Sequence, residues 1–271
     1  MLYTIIIIIG VLFTGFGILI YFGFRKKPVN HSQYFLKNKN KTTAMGKTVI
    51  VAGGDSLTHA TLSSDYLAML RLKPEISRFE IVNAGQNGET AEGLLKRLDR
   101  DILLCDPAII TILIGTNDAI RSKDINVTLE KYRKIMTELV QCIKSKSAAR
   151  IILISIPPLG ENLQSEKNRE IGQFNAILKS LSSENDLDYL PYNEKLTAII
   201  AASGTKKYDQ FVFSALMIFK SAFKKIYQRL SYNEISAGNG LTVLNDGVHL
   251  NDKAGNILAD LLAAHLKNLA R

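Results

Sequence analysis

Apolar and polar positions divide the chain into two unequal parts. Residues 2–24 carry no charged side chain and include five consecutive isoleucines, Ile5 to Ile9. A helix of that length rises about 1.5 Å per residue and reaches roughly 34 Å, enough to cross a hydrocarbon core. From Lys47 onward, short β-branched runs alternate with longer stretches of helical spacing. Strands are predicted at 48–52, 79–83, 108–114, 150–156 and, briefly, 188–190. Helices are predicted near 62–72, 91–104, 127–145 and 164–183. Strands that read as continuous apolar runs, each followed by a helix, are those of a parallel sheet covered on both faces. The fold class expected is therefore α/β, a three-layer doubly wound parallel sheet, preceded by an N-terminal transmembrane helix. A further helix is expected over 208–230, built around the dense apolar run 211–219. Asn251 is placed to cap a last helix through Leu269, with Leu258, Leu261, Leu262, His265, Leu266 and Leu269 at helical spacing.

Charge refines the division. The formal net charge is +9 over 271 residues. Seven basic residues and no acidic one lie between Arg25 and Lys47, and a second basic stretch runs from Lys206 to Arg229 with Asp209 as its single acid. With both segments set aside, the remainder is slightly acidic. Each basic segment adjoins an apolar one, which favours a membrane surface over nucleic acid. The organisation expected is a transmembrane anchor at 1–24, a basic linker at 25–46 serving as a polar tether, and a folded domain at 47–271 with a helical insert at about 204–238. The first apolar run has no preceding Lys or Arg and no small-residue cleavage site, so an uncleaved anchor is favoured over a signal peptide. Arg25, Lys26 and Lys27 follow that run, and the positive-inside rule then places the C-terminal domain in the cytoplasm; an extracytoplasmic domain is the alternative. Two cysteines, Cys105 and Cys142, give neither a disulfide framework nor a CxxC pair.

Four segments carry candidate chemistry. In Val49-Ile50-Val51-Ala52-Gly53-Gly54-Asp55-Ser56-Leu57 a strand runs into glycines, an acid and a serine that opens a helix. Ser56 would sit in the positive field of a helix N-terminus, a position suited to a nucleophile whose attack creates an oxyanion; a plain N-cap serine is the alternative. Asn83-Ala84-Gly85-Gln86-Asn87-Gly88-Glu89-Thr90 also follows a strand, and Gly88 there can expose its backbone N–H; an ordinary Gly-rich βα turn is the alternative. Asn117, in Ile114-Gly115-Thr116-Asn117-Asp118, can offer its amide to a developing negative oxygen, while Asp118 is more readily a loop cap. An activated serine needs a base, and the base needs a partner that fixes its tautomer. Of the four histidines, His31 lies in the basic linker, His59 just past Ser56 and His265 inside the last helix. His249 remains, with Asp246 three residues before it across Gly247. In a doubly wound sheet Ser56, Gly88 and Asn117 all follow carboxyl ends of strands, and an order 2-1-3 would make those strands neighbours.

Taken together, Gly54-Asp55-Ser56-Leu57, Gly88-Glu89-Thr90, Gly115-Thr116-Asn117-Asp118 and Asp246-Gly247-Val248-His249-Leu250 resemble the SGNH hydrolases, also called GDSL lipases/esterases. The resemblance spans 49–251. It implies a flavodoxin-like sheet, Ser56 as nucleophile, His249 as base and Asp246 as its partner. It further implies an oxyanion hole from the backbone N–H groups of Ser56 and Gly88 and the side chain of Asn117, with no metal or organic cofactor. The chain departs from the family at Thr58-His59-Ala60, where a glycine is common, and in the length of the insert.

The function expected is therefore a membrane-anchored serine esterase acting through an acyl-enzyme on an ester substrate. The anchor and the apolar insert favour a lipidic ester, lysophospholipid or acyl thioester. The alternatives are a carbohydrate O-acetylesterase, expected if the domain faces outward, and a non-catalytic acyl-binding module. Nucleic acid is not an expected partner.

Overall fold

A computed structural model of the protein describes residues 27–44, 46–204 and 215–269. The expected anchor at 1–24 and the first part of the apolar run 211–219 lie outside these. Among the described residues no helix is long and apolar enough to cross a membrane.

Five parallel strands form one sheet in the order β2-β1-β3-β4-β5. They are β1 (Thr48–Gly54), β2 (Phe79–Gly85), β3 (Ile109–Leu113), β4 (Arg150–Ile154) and β5 (Asp188–Leu190). The first three are neighbours, with Gly54 level with Gly85 on one side and Leu113 on the other. Their alternating side chains feed two separate cores. Val51, Val82, Ala84, Ile110, Ile112, Ile151 and Leu153 point to one face. Ile50, Ala52, Phe79, Ile81, Leu113, Ile152 and Ile154 point to the other.

The helices, in chain order, are α1 (Ser32–Ala44), α2 (Ser56–His59), α3 (Tyr66–Arg71), α4 (Ala91–Lys96), α5 (Leu98–Asp101), α6 (Thr116–Ile120), α7 (Ile125–Lys146), α8 (Glu166–Asn185), α9 (Tyr192–Ser203), α10 (Ala215–Tyr227), α11 (Tyr232–Gly238) and α12 (Asp252–Asn268). Helix α7 shows how the pattern becomes structure. Asp124 accepts from the N–H groups of Asn126 and Val127 at its start, and Tyr132, Ile135, Met136, Leu139, Val140 and Ile143 are buried at three- and four-residue spacing. At the far end Asn251 caps α12 by accepting from Ala254 N, and Leu258, Leu262 and Leu266 enter the second core. Helices α1, α4, α5, α7 and α8 cover one face; α3, α9 and α12 cover the other.

Three elements differ from the pattern-based expectation. The single helix expected at 91–104 is divided into α4, α5 and a 3-10 turn, Leu103–Cys105. Helix α9 is not anticipated by the pattern, because it buries only Tyr192, Leu196 and Ile200, whereas α11, burying Ile235, falls within the helical insert expected at 204–238. The largest difference is at 28–46, expected as an open tether. Most of it is α1, and its entry pairs with the free edge of β2. Asn83 N donates to Asn30 O at 3.0 Å, and Asn30 Nδ2 donates to Ile81 O at 2.7 Å. Phe35 is buried in the first core. One deeply buried aromatic in a polar, lysine-rich helix is too sparse a signal for periodicity, and main-chain pairing leaves no signature in side-chain composition.

Candidate active site

The carboxyl ends of β1, β2 and β3 present three turns on one edge of the sheet. The first is Gly54-Asp55-Ser56, where Asp55 accepts from Leu57 N at 2.9 Å and so caps α2. Ser56 is the first residue of that helix. Helix α2 can lie against β2 because Gly85 has no side chain: a Cβ there would collide with the backbone of Thr58 and His59.

The loop that carries His249 returns to the same edge. Gly247 has φ +90°, a conformation open to glycine, and this turns the chain between Asp246 and His249. Asp246 Oδ1 accepts from Val248 N at 3.0 Å and from His249 N at 2.8 Å, while Oδ2 contacts His249 Nδ1 at 2.7 Å. His249 Nε2 lies 3.1 Å from Ser56 Oγ. Residues 193 positions apart in the chain therefore meet at hydrogen-bond distance. Asp246 and His249 are both buried. Burial opposes the charged form of His249, but the Asp246 carboxylate, through its charge and hydrogen bond, together with the charge of Asp55, raises its pKa overall. Burial would likewise raise Asp246; His249 and the two backbone N–H groups outweigh it and hold the carboxyl below its usual range.

The other histidines are engaged elsewhere. His59 Nδ1 contacts Thr61 Oγ1 at 2.7 Å, His265 lies beside Asp188, and His31 bridges to Asn83 at the sheet edge.

The turns after β2 and β3 stand beside that of Ser56. Asn117 Nδ2 donates to Glu89 O at 2.9 Å and lies 3.5 Å from Asp55 Oδ2. The bond to Glu89 orients the amide. Gly88 has φ +70°, in the left-handed region that favours glycine. Asp118 caps, as its position suggests, but the helix it serves is α4: its carboxylate accepts from Ala91 N at 3.1 Å. The structure thus brings Ser56, Asp246 and His249 into one chain of contacts and sets Gly88 and Asn117 in the turns beside it.

Two residues, Glu161 and Arg97, escape the sequence reading, and so does the burial of Asp55. Asp55 is fully buried, and burial pushes its carboxyl up to about 6. Glu161 accepts from Val243 N at 2.7 Å, from Leu244 N at 2.9 Å and from Thr242 N at 2.7 Å, clamping the chain just ahead of Asp246. Gly160 N donates to Gly247 O at 2.7 Å beside it. Arg97 is buried among polar groups behind the first two turns. Only Arg97 left a trace, its four-residue spacing to Asp101; a side chain that binds distant backbone leaves none. Among the described residues, no cluster of three or more His, Cys, Asp or Glu side chains is arranged to hold a metal ion.

Comparison with known proteins gives the family and the fold. A profile of the GDSL-like lipase/acylhydrolase family matches residues 52–213. An acetylxylan esterase of Geobacillus stearothermophilus is 26% identical over 141 residues, spanning 48% of this chain and 63% of that protein, which is less than two thirds of its length. The fold is shared with the acetyl xylan esterase AlAXEase, at a TM-score of 0.60 and 17% identity, covering 80% of this chain and 98% of that one. It is also shared with a lipase/acylhydrolase from Enterococcus faecalis, at a TM-score of 0.56 and 19% identity, covering 82% and 96%.

Proposed function

The chain belongs to the GDSL-like lipase/acylhydrolase family, and from that premise we propose that it hydrolyses carboxylic esters with Ser56 as nucleophile, His249 as general base and Asp246 as the group that holds the imidazole. His249 Nε2 takes the Ser56 proton as Oγ attacks the ester carbonyl carbon. The carbonyl oxygen becomes an oxyanion, received by the N–H groups of Ser56 and Gly88 and by Asn117 Nδ2. Collapse breaks the ester C–O bond, and the alcohol leaves with the proton from His249. Water, activated by the same imidazole, then cleaves the acyl-enzyme. The observation that supports this reading is the unbroken run of contacts from Asp246 through His249 to Ser56, 2.7 and 3.1 Å long.

Labelling with a fluorescent fluorophosphonate tests it. The wild-type protein is expected to take the label, and Ser56→Ala and His249→Ala are expected not to. Labelling of Ser56→Ala at the wild-type rate would overturn the assignment.

For the substrate we favour a small acyl group, such as acetyl, on a carbohydrate; the name of the Geobacillus relative supports this. A lipidic ester is the second reading, and α10 favours it. Leu216 and Ile226 are exposed on that helix, 75% and 41%, with Lys220, Lys224, Lys225 and Arg229 close by in the chain. Such a surface suits an interface with anionic lipid. Membrane anchoring through residues 2–24 remains part of the proposal. Turnover of acetylated xylo-oligosaccharides, set beside lysophospholipid and long-chain acyl esters, separates the two substrates. Protease protection on spheroplasts decides the side of the membrane: the carbohydrate reading needs an outward-facing domain, the reverse of what Arg25–Lys27 implies.

A further inference from the structure

Behind the turns that bear Ser56 and Gly88 lies a small buried cluster of charge. Arg97, at the junction of α4 and α5, is 7% exposed. Its Nε donates to Glu89 Oε2 at 2.7 Å, its Nη2 to Gly54 O at 3.2 Å and its Nη1 to Asp101 Oδ2 at 3.4 Å. Asp101 also takes Arg100, at 2.7 and 2.8 Å, so two carboxylates face two guanidinium groups.

The acceptors matter more than the charge. Gly54, two residues before Ser56, offers a carbonyl that also accepts from Gln86 N at 3.0 Å. Glu89 directly follows Gly88, and its own carbonyl is the acceptor that orients Asn117 Nδ2. One guanidinium is therefore tied to the turn of Ser56 and to the turn of Gly88, and reaches Asn117 through Glu89. We propose that Arg97 is a positioning residue for the oxyanion pocket, fixing these three donors relative to one another.

Two physical points support a geometric role over a purely cohesive one. A buried ion pair contributes little net stability compared with apolar side chains of similar size, because desolvation offsets the attraction. A planar guanidinium can serve separate acceptors in fixed directions, whereas an ammonium on a flexible stem cannot. Oxyanion donors are effective only when held within about 0.5 Å of the productive arrangement.

The inference rests on the serine-hydrolase reading above, and the test keeps the two apart. The full-length protein is assayed on a neutral chromogenic acetate ester as wild type, Arg97→Lys, Asn117→Ala, the double variant and Ser56→Ala. Arg97→Lys is expected to lower kcat about ten- to a hundredfold, with KM within about threefold, because donors that are misaligned lose part of what a deleted donor loses. In the Asn117→Ala background the same change is expected to cost a smaller factor, since one of the three donors it aligns is already absent. Loss by the same factor in both backgrounds, or no loss, overturns the proposal. If Arg97→Lys does not fold by circular dichroism, Glu89→Gln decides: it keeps the size and an acceptor, and the same shrinkage in the Asn117→Ala background is expected. An inert Ser56→Ala beside an unaffected Arg97→Lys refutes the positioning role alone. A fully active Ser56→Ala refutes both.

Discussion

The acid beside the serine gives the sharpest quantitative test. Asp55 is wholly enclosed, and burial pushes its carboxyl from 3.8 to about 6, only partly opposed by the bond from Leu57 N and by His249. An acid whose pKa is raised on folding favours the native state only while it is protonated. Its contribution is fully present below pH 3.8 and is lost as pH rises through about 6. Converting that shift gives a loss of stability, relative to low pH, of about 3 kcal/mol at pH 7.5, where Asp55 is ionised, and about 1 kcal/mol at pH 4.5, where it is protonated in the folded protein but ionised in the unfolded chain. Asp55→Asn keeps an oxygen for Leu57 N and removes the charge. Its stability relative to wild type is therefore expected to improve by about 2 kcal/mol between pH 4.5 and pH 7.5. Urea unfolding of both proteins at the two pH values measures this difference. Asp118, also pushed up to about 6 by burial, is present in both and largely cancels. A difference between variant and wild type that does not change with pH would show that Asp55 is not held ionised at a cost, and the argument from burial would fail.

Other consequences concern the reaction and the fold. Asn117→Ala is expected to cut turnover by roughly 10²–10³ with the fold intact, read as kcat on a short-chain ester beside circular dichroism. Because Asp246 raises the pKa of His249 and only neutral imidazole accepts a proton, activity should rise with pH through a value above 6.5. Asp246→Asn should move that acid limb to lower pH and lower the plateau on the order of 10⁴-fold; an unmoved limb would contradict the assigned contact. Phe35→Ala should destabilise the domain by about 3–5 kcal/mol in chemical unfolding, since α1 is docked and does not hang free.

Much of the sheet could be read from the chain. Runs such as Ile109–Leu113 are buried at every position and apolar at all but Thr111 because both faces are covered, and this is a periodicity signal in its own right. The site was visible for a related reason. Ser56, Gly88 and Asn117 each sit where a buried strand must stop, and His249 with Asp246 is a local pair whose spacing survives in sequence. What stayed hidden depends on contacts between distant backbone and single side chains. Glu161 grips three N–H groups about eighty residues away. Asn30 reaches the edge of β2 through its main-chain carbonyl, and Arg97 binds a carbonyl at the end of β1. None of these imposes a composition or a repeat.

The docking of α1 also shortens the leash. The chain from Phe24 to Asn30, where pairing with β2 begins, has only six peptide links, or about 20 Å at full stretch. With residues 2–24 in a bilayer, as proposed, the hydrolase cannot roam at the end of a long arm. Its β2 flank would ride close above the headgroups, and the esters within its reach would be those that come to that surface.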